Sequence, residues 1–285
     1  MARAPFSQAI PKPQWRGSDP SSGQESRRLR LLKRIGLFGT DTKGARIKRA
    51  TQPQELIKAY ELVHDTFVEQ GYIHPQPGGL RVRAFEAMPG TATFIAAQEL
   101  DVVGVQTLVV DSPGLGLPSD LAFRDAIDRL RAAGGLVCEA TNEAVLKEYR
   151  RSAVPTELMR CMFAHALTIG CTDLVTTISP GHAAFYEFIG FRQVSEVRSY
   201  SDEIEDPTVV VAWDLREIRR RFEAAEAKGD SDQAFLKVFC FEGSPYWDEL
   251  EAWDQQARQT FQLAGFIGKL LAGKGDALTL AGHGV

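Results

Sequence analysis

The stretch Leu174-Val175-Thr176-Thr177-Ile178-Ser179-Pro180-Gly181-His182-Ala183-Ala184-Phe185-Tyr186-Glu187-Phe188-Ile189-Gly190-Phe191 decides how this chain is read. Five apolar or β-branched residues in succession predict a buried strand, Pro180 opens a short helix after it, and Gly190 stops that helix. Upstream, a helix from Thr156 carries Leu158, Met162, Phe163, Ala166 and Leu167 on its apolar side and ends at Gly170, and the strand Leu136 to Val145 precedes it. Downstream, two more strands are expected, around Val194 to Tyr200 and Val209 to Trp213. Further toward the N-terminus, Pro118 lies in the first turn of an amphipathic helix through Leu121, Phe123, Ile127 and Leu130, stopped by Gly134-Gly135. A hairpin joins residues 93–97 to 102–110 through Glu99-Leu100-Asp101, and a short strand at Arg46 to Ala50 leads into a helix bearing Leu56, Tyr60, Val63 and Phe67. This alternation predicts one α/β (α+β) domain over residues 45–215.

The flanks differ in kind. Residues 1–44 are rich in Pro, Ser, Gly and Arg and read as a flexible basic N-terminal extension. Within it, Arg27-Arg28-Leu29-Arg30-Leu31-Leu32-Lys33-Arg34 reads as a solvated basic tail, with peripheral contact to an anionic membrane or to an acidic protein as the alternative. Residues 216–285 read as a helical C-terminal extension, with Ile218, Phe222 and Ala225 first and then a stripe of Leu250, Trp253, Ala257, Phe261, Ala264 and Leu271. Such a stripe is expected to pack on the domain or on a second copy.

A hydrophobic content of 44% suffices for an ordinary core, and a formal net charge of -4 argues against nucleic acid as a partner. Cys138, Cys161, Cys171 and Cys240 form no CxxC pair and no metal-ligand cluster with the histidines. With no signal-peptide-like stretch and no membrane-span-length apolar run, the expectation is a reduced, cytoplasmic protein.

The segment Ser179 to Phe191 resembles the second half of the acyl-thioester site of the GNAT superfamily, marked by Tyr-x-x-x-Gly-Phe after a buried strand; here these are Tyr186, Gly190 and Phe191. From about 46 to 214 the chain is similar to N-acyl amino acid synthases and, more distantly, to acyl-homoserine-lactone synthases. Carrying that similarity are Phe67-Val68-Glu69-Gln70-Gly71-Tyr72-Ile73, Asp111 with Gly116-Leu117-Pro118, Leu130-Arg131, and Cys138-Glu139-Ala140-Thr141-Asn142. The resemblance implies a GNAT-type mixed, mostly antiparallel sheet flanked by helices, its central strands splayed to admit a thioester. It implies transfer of a fatty acyl group from acyl carrier protein to the amine of an amino acid or similar acceptor. The phosphopantetheine arm would then be a donor substrate, with no permanently bound cofactor or metal.

One departure bears on the donor. Where coenzyme-A-dependent members carry a glycine-rich loop whose amides cradle a pyrophosphate, this chain reads Arg151-Ser152-Ala153-Val154-Pro155-Thr156. The β-carbon of Val154 obstructs close approach and Pro155 lacks an amide donor. A donor with a single phosphate asks less of such a loop. Lactone synthases carry an arginine where this chain has Val63, a tryptophan where it has Tyr72, and an aspartate pair it lacks. Lactone synthesis is therefore the alternative activity, and a catalytically silent GNAT domain acting as an interaction protein is another.

Acyl transfer to an amine needs a neutral nucleophile, stabilisation of the tetrahedral intermediate and a proton for the departing thiolate. Glu139, in an apolar strand on the same face as Val137, is the candidate general base, directly or through water; a structural ion pair is its alternative. Tyr186 occupies the superfamily position of the acid, or is a packing residue. His182, in the first turn after Pro180, is either a base or donor or a capping residue. Lys147, Arg150, Arg151 and Arg160, with Thr156, are the candidate acyl-donor-binding residues, the cations meeting a phosphate and an acidic carrier or forming a solvated face. Val137, Val175, Leu158, Met162 and Phe163 are candidate walls of an acyl slot, and would serve equally as core.

Overall fold

A computed structural model describes residues 27–34, 39, 41–200, 206–223, 231–240, 244–248 and 265–272. The hairpin is the first piece of the sheet: β2 (Ala92–Gln98) returns as β3 (Asp101–Val110), turning where Glu99 takes a positive φ of 54°. β1 (Arg46–Arg49) pairs with β2, and β4 (Val137–Val145) with β3. β5 (Asp173–Ile178) joins β4 in parallel, β8 (Pro207–Asp214) joins β5, and the short β6 (Arg192–Gln193) joins β8, giving the order β1-β2-β3-β4-β5-β8-β6. Among the described residues every strand pairing except that of β4 with β5 is antiparallel, as expected for the mixed sheet. Of the strand expected over 194–200 only β7 (Arg198–Ser199) pairs with β8; before it, the Val194 amide donates to the Val210 carbonyl and the Val210 amide to the Ser195 hydroxyl.

Two features of β4 and β5 open the sheet. The parallel ladder runs from Val137↔Asp173 to Ala140↔Thr176, while β4 continues to Val145 paired with β3 and β5 continues to Ile178 paired with β8. The two central strands therefore part company after Ala140, whose carbonyl is taken by the Thr176 hydroxyl at 3.1 Å. Just beyond, β4 bulges: Val105 faces Ala144 but Thr107 faces Thr141, and Asn142 has φ of 52°. Asparagine tolerates this left-handed conformation better than most residues. The extra residue inverts the alternation of β4.

Helices cover both faces. α2 (Pro53–Glu69) buries Leu56, Tyr60 and Val63 against Ile95, Val105 and Ala144, while α3 (Asp120–Ala132) buries Phe123, Ile127 and Leu130 against Val109, Val137 and Val175. Pro118 precedes α3 rather than lying in its first turn; Ser119 is the N-cap. On the opposite face, α4 (Val154–Thr168) lies so close that a β-carbon on Gly104 would come within 2.8 Å of Val154 Cγ1. α5 (Ala183–Ile189) ends at Gly190, φ 123°, where a β-carbon would sit 2.9 Å from Trp213 Cζ2. Glycine there lets Phe191 turn into the core against Phe163 and Trp213.

α6 (Leu215–Glu223), α7 (Ser231–Cys240) and α8 (Pro245–Asp248) follow the sheet, and Phe235, Phe239 and Tyr246 join the α4-side core. Of the predicted C-terminal stripe, Leu271 belongs to helix 265–272 and packs against the α2-side core; Leu250, Trp253, Ala257, Phe261 and Ala264 lie outside the described residues. Arg27 to Arg34, expected as a flexible tail, is helix α1 (Arg27–Arg34), with Leu29 and Leu32 buried one turn apart and contacts to α7. The rest of 1–38 lies outside the described residues. No helix among them is long and apolar enough to cross a membrane.

Candidate active site

A cavity of about 560 Å³ opens beside the fork between β4 and β5. Glu139, Thr141, Asn142 and Glu143 of β4, Thr177 and Ile178 of β5, Tyr186 of α5 and Tyr200 line it, and Phe67, Tyr72, Arg81 and Arg83 close another side. Glu139 of β4 and the pair His182 and Tyr186, which follow it in sequence only after β5, thus meet at one cavity.

Glu139 is buried, and both carboxyl oxygens are held by one residue: the Ser119 amide donates to Oε2 and its hydroxyl to Oε1, each at 2.8 Å. Ser119 Oγ is in turn 2.7 Å from Thr177 Oγ1. With the serine proton committed to an ionised Glu139, the Thr177 proton must point at Ser119, which leaves the Thr177 lone pairs to accept from elsewhere. Burial pushes the Glu139 carboxyl up to about 7, against the Ser119 bonds and the Arg83 charge, which pull it down. Ser119 is fixed by the start of α3. There Arg131 grips both Asp111 and Asp120 with four bonds of 2.6 to 2.9 Å, and the Asp120 carboxylate accepts from the Leu117 amide at 2.7 Å.

Tyr186 is partly buried against Phe185 and Phe191, and burial together with the Glu143 carboxyl pushes its phenol well up, so it keeps its proton at neutral pH. His182 is exposed at the cavity edge, its amide bonded to the Ser179 carbonyl at 2.9 Å. Protein crowding raises the Glu143 carboxyl although the side chain still meets the open cavity. A third tyrosine, Tyr200, is pushed up to about 12 by burial and the Glu139 charge.

The candidate donor-binding residues do not stay together. Lys147, Arg150 and Arg151 are exposed before α4, with Arg150 Nε donating to the Val145 carbonyl at 2.9 Å. Arg160 is a correction: it is buried on α4, paired with Glu157 at 2.6 Å and bonded to the Val238 and Phe239 carbonyls at the end of α7. The helical turn that carries it faces the C-terminal helices, so it clamps α7. Thr156 is buried near the start of α4, and its hydroxyl has no hydrogen-bond partner among the described residues. The amides around it are occupied: Ala153 donates to the Asp41 carbonyl at 2.9 Å and Val154 to Ser152 Oγ at 3.2 Å. The expected acyl slot is also corrected. Leu158, Met162 and Phe163 lie in the core on the α4 face and Val137 and Val175 in the core on the α3 face, so the sheet itself separates them.

A family model described as N-acyl amino acid synthase FeeM matches residues 58–214. The chain belongs to the FeeM family. It is an acyltransferase. Among solved structures, FeeM, an N-acyl amino acid synthase from uncultured soil microbes, superposes with a TM-score of 0.52 at 22% identity, covering 64% of this chain and 97% of that one. The structural match supports the GNAT-type fold expected for the FeeM family. A coenzyme-A-dependent acyl-homoserine lactone synthase, BjaI, gives 0.49 at 16% identity, covering 70% and 92%; the acyl-homoserine lactone synthase LasI gives 0.45 at 15%, covering 69% and 95%. Comparison with curated proteins found no match. No group of three or more His, Cys, Asp or Glu side chains among the described residues is arranged to hold a metal ion.

Ser119, Thr177, Arg81, Arg83 and Tyr200 have no place in the sequence reading of the site. The Arg81-Val82-Arg83 alternation was the one local signal available: Val82 is buried and both arginines line the cavity.

Proposed function

We propose that this protein transfers a fatty acyl group from the phosphopantetheine arm of acyl carrier protein to the amine of an amino acid. The observation that carries the reading is the hydroxyl line from the cavity to a buried carboxyl: Thr177 Oγ1 to Ser119 Oγ at 2.7 Å, and Ser119 Oγ to Glu139 Oε1 at 2.8 Å. The acceptor amine attacks the thioester carbonyl carbon, a C–N bond forms and the C–S bond breaks. The amine proton passes to Thr177, whose own proton moves to Ser119, whose proton moves to Glu139. A group titrating near 7 is matched to that task at neutral pH. Tyr186, protonated at the cavity wall, supplies the proton to the departing thiolate.

Carrier protein is favoured as donor because the start of α4 offers a poor pyrophosphate cradle. Pro155 has no amide, and those of Ala153 and Val154 already donate to Asp41 and Ser152. Lys147, Arg150 and Arg151 stand exposed beside it to meet one phosphate and an acidic surface. The test is acylation of a mixture of amino acids with matched acyl carrier protein and acyl coenzyme A, read by mass spectrometry. An N-acyl amino acid is expected, with the carrier preferred. Equal catalytic efficiency with both donors refutes the carrier assignment, and thioester hydrolysis without any amide product refutes the transfer. Given carrier preference, Arg150→Ala with Arg151→Ala should raise KM for the loaded carrier and flatten the salt dependence of the rate.

A further inference from the structure

Gln106 lies in β3 opposite Phe94 of β2 and two residues from Leu108, so strand alternation places it on the α4 face of the sheet, where Phe94 and Leu108 belong to the core. It is only 4% exposed, and it lines the cavity. Its polar neighbours are paired. Thr107 Oγ1 is 3.3 Å from Thr93 Oγ1, and Asn142, in the β4 bulge across from Gln106, donates to the Glu86 carboxylate at 2.9 Å. The Gln106 carboxamide makes no hydrogen bond among the described residues. A buried carboxamide on an apolar face costs stability unless something completes its bonds, so this one is placed for a polar group that arrives in the cavity.

When an amine adds to a thioester, negative charge develops on the carbonyl oxygen, which needs a hydrogen-bond donor already aimed at it. The proposed transfer commits Thr177, Ser119 and Glu139 to the amine proton and Tyr186 to the thiolate. Net charge does not serve the oxygen: on the cavity wall the carboxyls of Glu139, Glu143 and Asp206 outnumber the guanidiniums of Arg81 and Arg83, and Arg83 is paired with the buried Glu86 at 2.6 Å. We infer that Gln106 is a further catalytic residue, its Nε2–H donating to the carbonyl oxygen as the tetrahedral intermediate forms. The inference rests on the proposed transfer and adds the side chain that stabilises its intermediate. The two faces of the sheet then divide the work. Thr177 meets Ser119, the N-cap of α3, so the amine enters from the α3 face, whereas Gln106 and Tyr186 belong to the α4 side. Electrons displaced by the entering amine move first to the oxygen and then to the sulfur, and the donor for each waits on the far face. Burial strengthens the Gln106 bond, because little water competes for it.

The test is Gln106→Met, an unbranched apolar replacement of similar length. Because it removes an unpartnered polar group, the variant should unfold in urea at a midpoint no lower than that of wild type. Transfer should nevertheless lose about 10²- to 10³-fold in kcat, with KM for carrier and amine changed by less than about 3-fold. A donor with sulfur in place of the carbonyl oxygen, an acyl dithioester of the carrier, ties the loss to that atom. Sulfur accepts hydrogen bonds weakly, so the preference of wild type for thioester over dithioester should shrink by about 10-fold or more in the variant. A kcat within about 3-fold of wild type, a loss confined to KM, or an unchanged preference for the thioester overturns the inference and leaves the proposed transfer standing. A midpoint well below that of wild type shows that the carboxamide is held by the fold, and overturns it too. No transfer to any amine by wild type overturns the proposed function, and this inference with it.

Discussion

Replacing Ser119 with alanine removes one of the two bonds that stabilise the Glu139 carboxylate, while the backbone amide bond at 2.8 Å remains. A hydrogen bond to a charged group contributes about 1.5 to 3 kcal/mol, and 1.36 kcal/mol corresponds to one pKa unit, so the Glu139 pKa should rise by about one to two units. Starting from about 7, it would reach about 8 to 9. At pH 7 the ionised fraction then falls from about one half to between about a tenth and a hundredth, and the rate should fall by about 5- to 50-fold from this cause alone. The assay is single-turnover acylation across pH 6 to 10, with the amine saturating. In Ser119→Ala the ascending limb should move from near 7 to about 8 to 9, and raising the pH should recover the part of the loss due to protonation. What remains unrecovered measures the broken proton line, and Thr177→Val, which leaves both Ser119 bonds to Glu139 in place, should show that residue of loss with a smaller displacement of the limb. A Ser119→Ala profile whose limb stays near 7 would refute the coupling of Ser119 to the titrating group.

Glu139→Gln should lower transfer by about 10- to 10³-fold with the fold kept. Its stability should also lose a pH dependence: the Glu139 pKa rises from 4.5 in the unfolded chain to about 7 in the folded one, so the folded protein binds the extra proton between those values and wild-type stability falls as pH rises through 7. That group accounts for about 3 kcal/mol between pH 4 and 8, and urea unfolding of both proteins at the two pH values should show the difference in wild type only. Gly190→Ala forces a side chain into φ 123° with its β-carbon 2.9 Å from Trp213, and should destabilise by about 2 to 4 kcal/mol in the same assay. Phe239→Ala, emptying a site packed on Phe163 at 4.9 Å and Phe235 at 5.4 Å between ring centroids, should cost about 3 to 5 kcal/mol. A near-neutral value would separate the C-terminal helices from the core.

Local rules carried most of the architecture. Periodicity and punctuation by Pro and Gly marked the larger helices and strands within a few residues, because each depends on neighbours one turn or one pleat away. The alternation Val137, Glu139 on β4 already placed a carboxyl on an apolar face, and Tyr186, Gly190 and Phe191 already marked the helix that lies beside it. Tertiary structure decided what that carboxyl touches. Ser119 and Thr177 are separated from Glu139 by 20 and 38 residues, and no spacing rule links a helix N-cap and a neighbouring strand to one carboxylate. The split of the acyl-slot candidates between two faces and the burial of Arg160 under α7 likewise depend on which side of the sheet each helix covers. Sequence periodicity says that a residue turns inward, whereas only the crossing of distant elements in space says what it meets there, because hydrogen bonds and charges act over a few ångströms regardless of the length of chain between them.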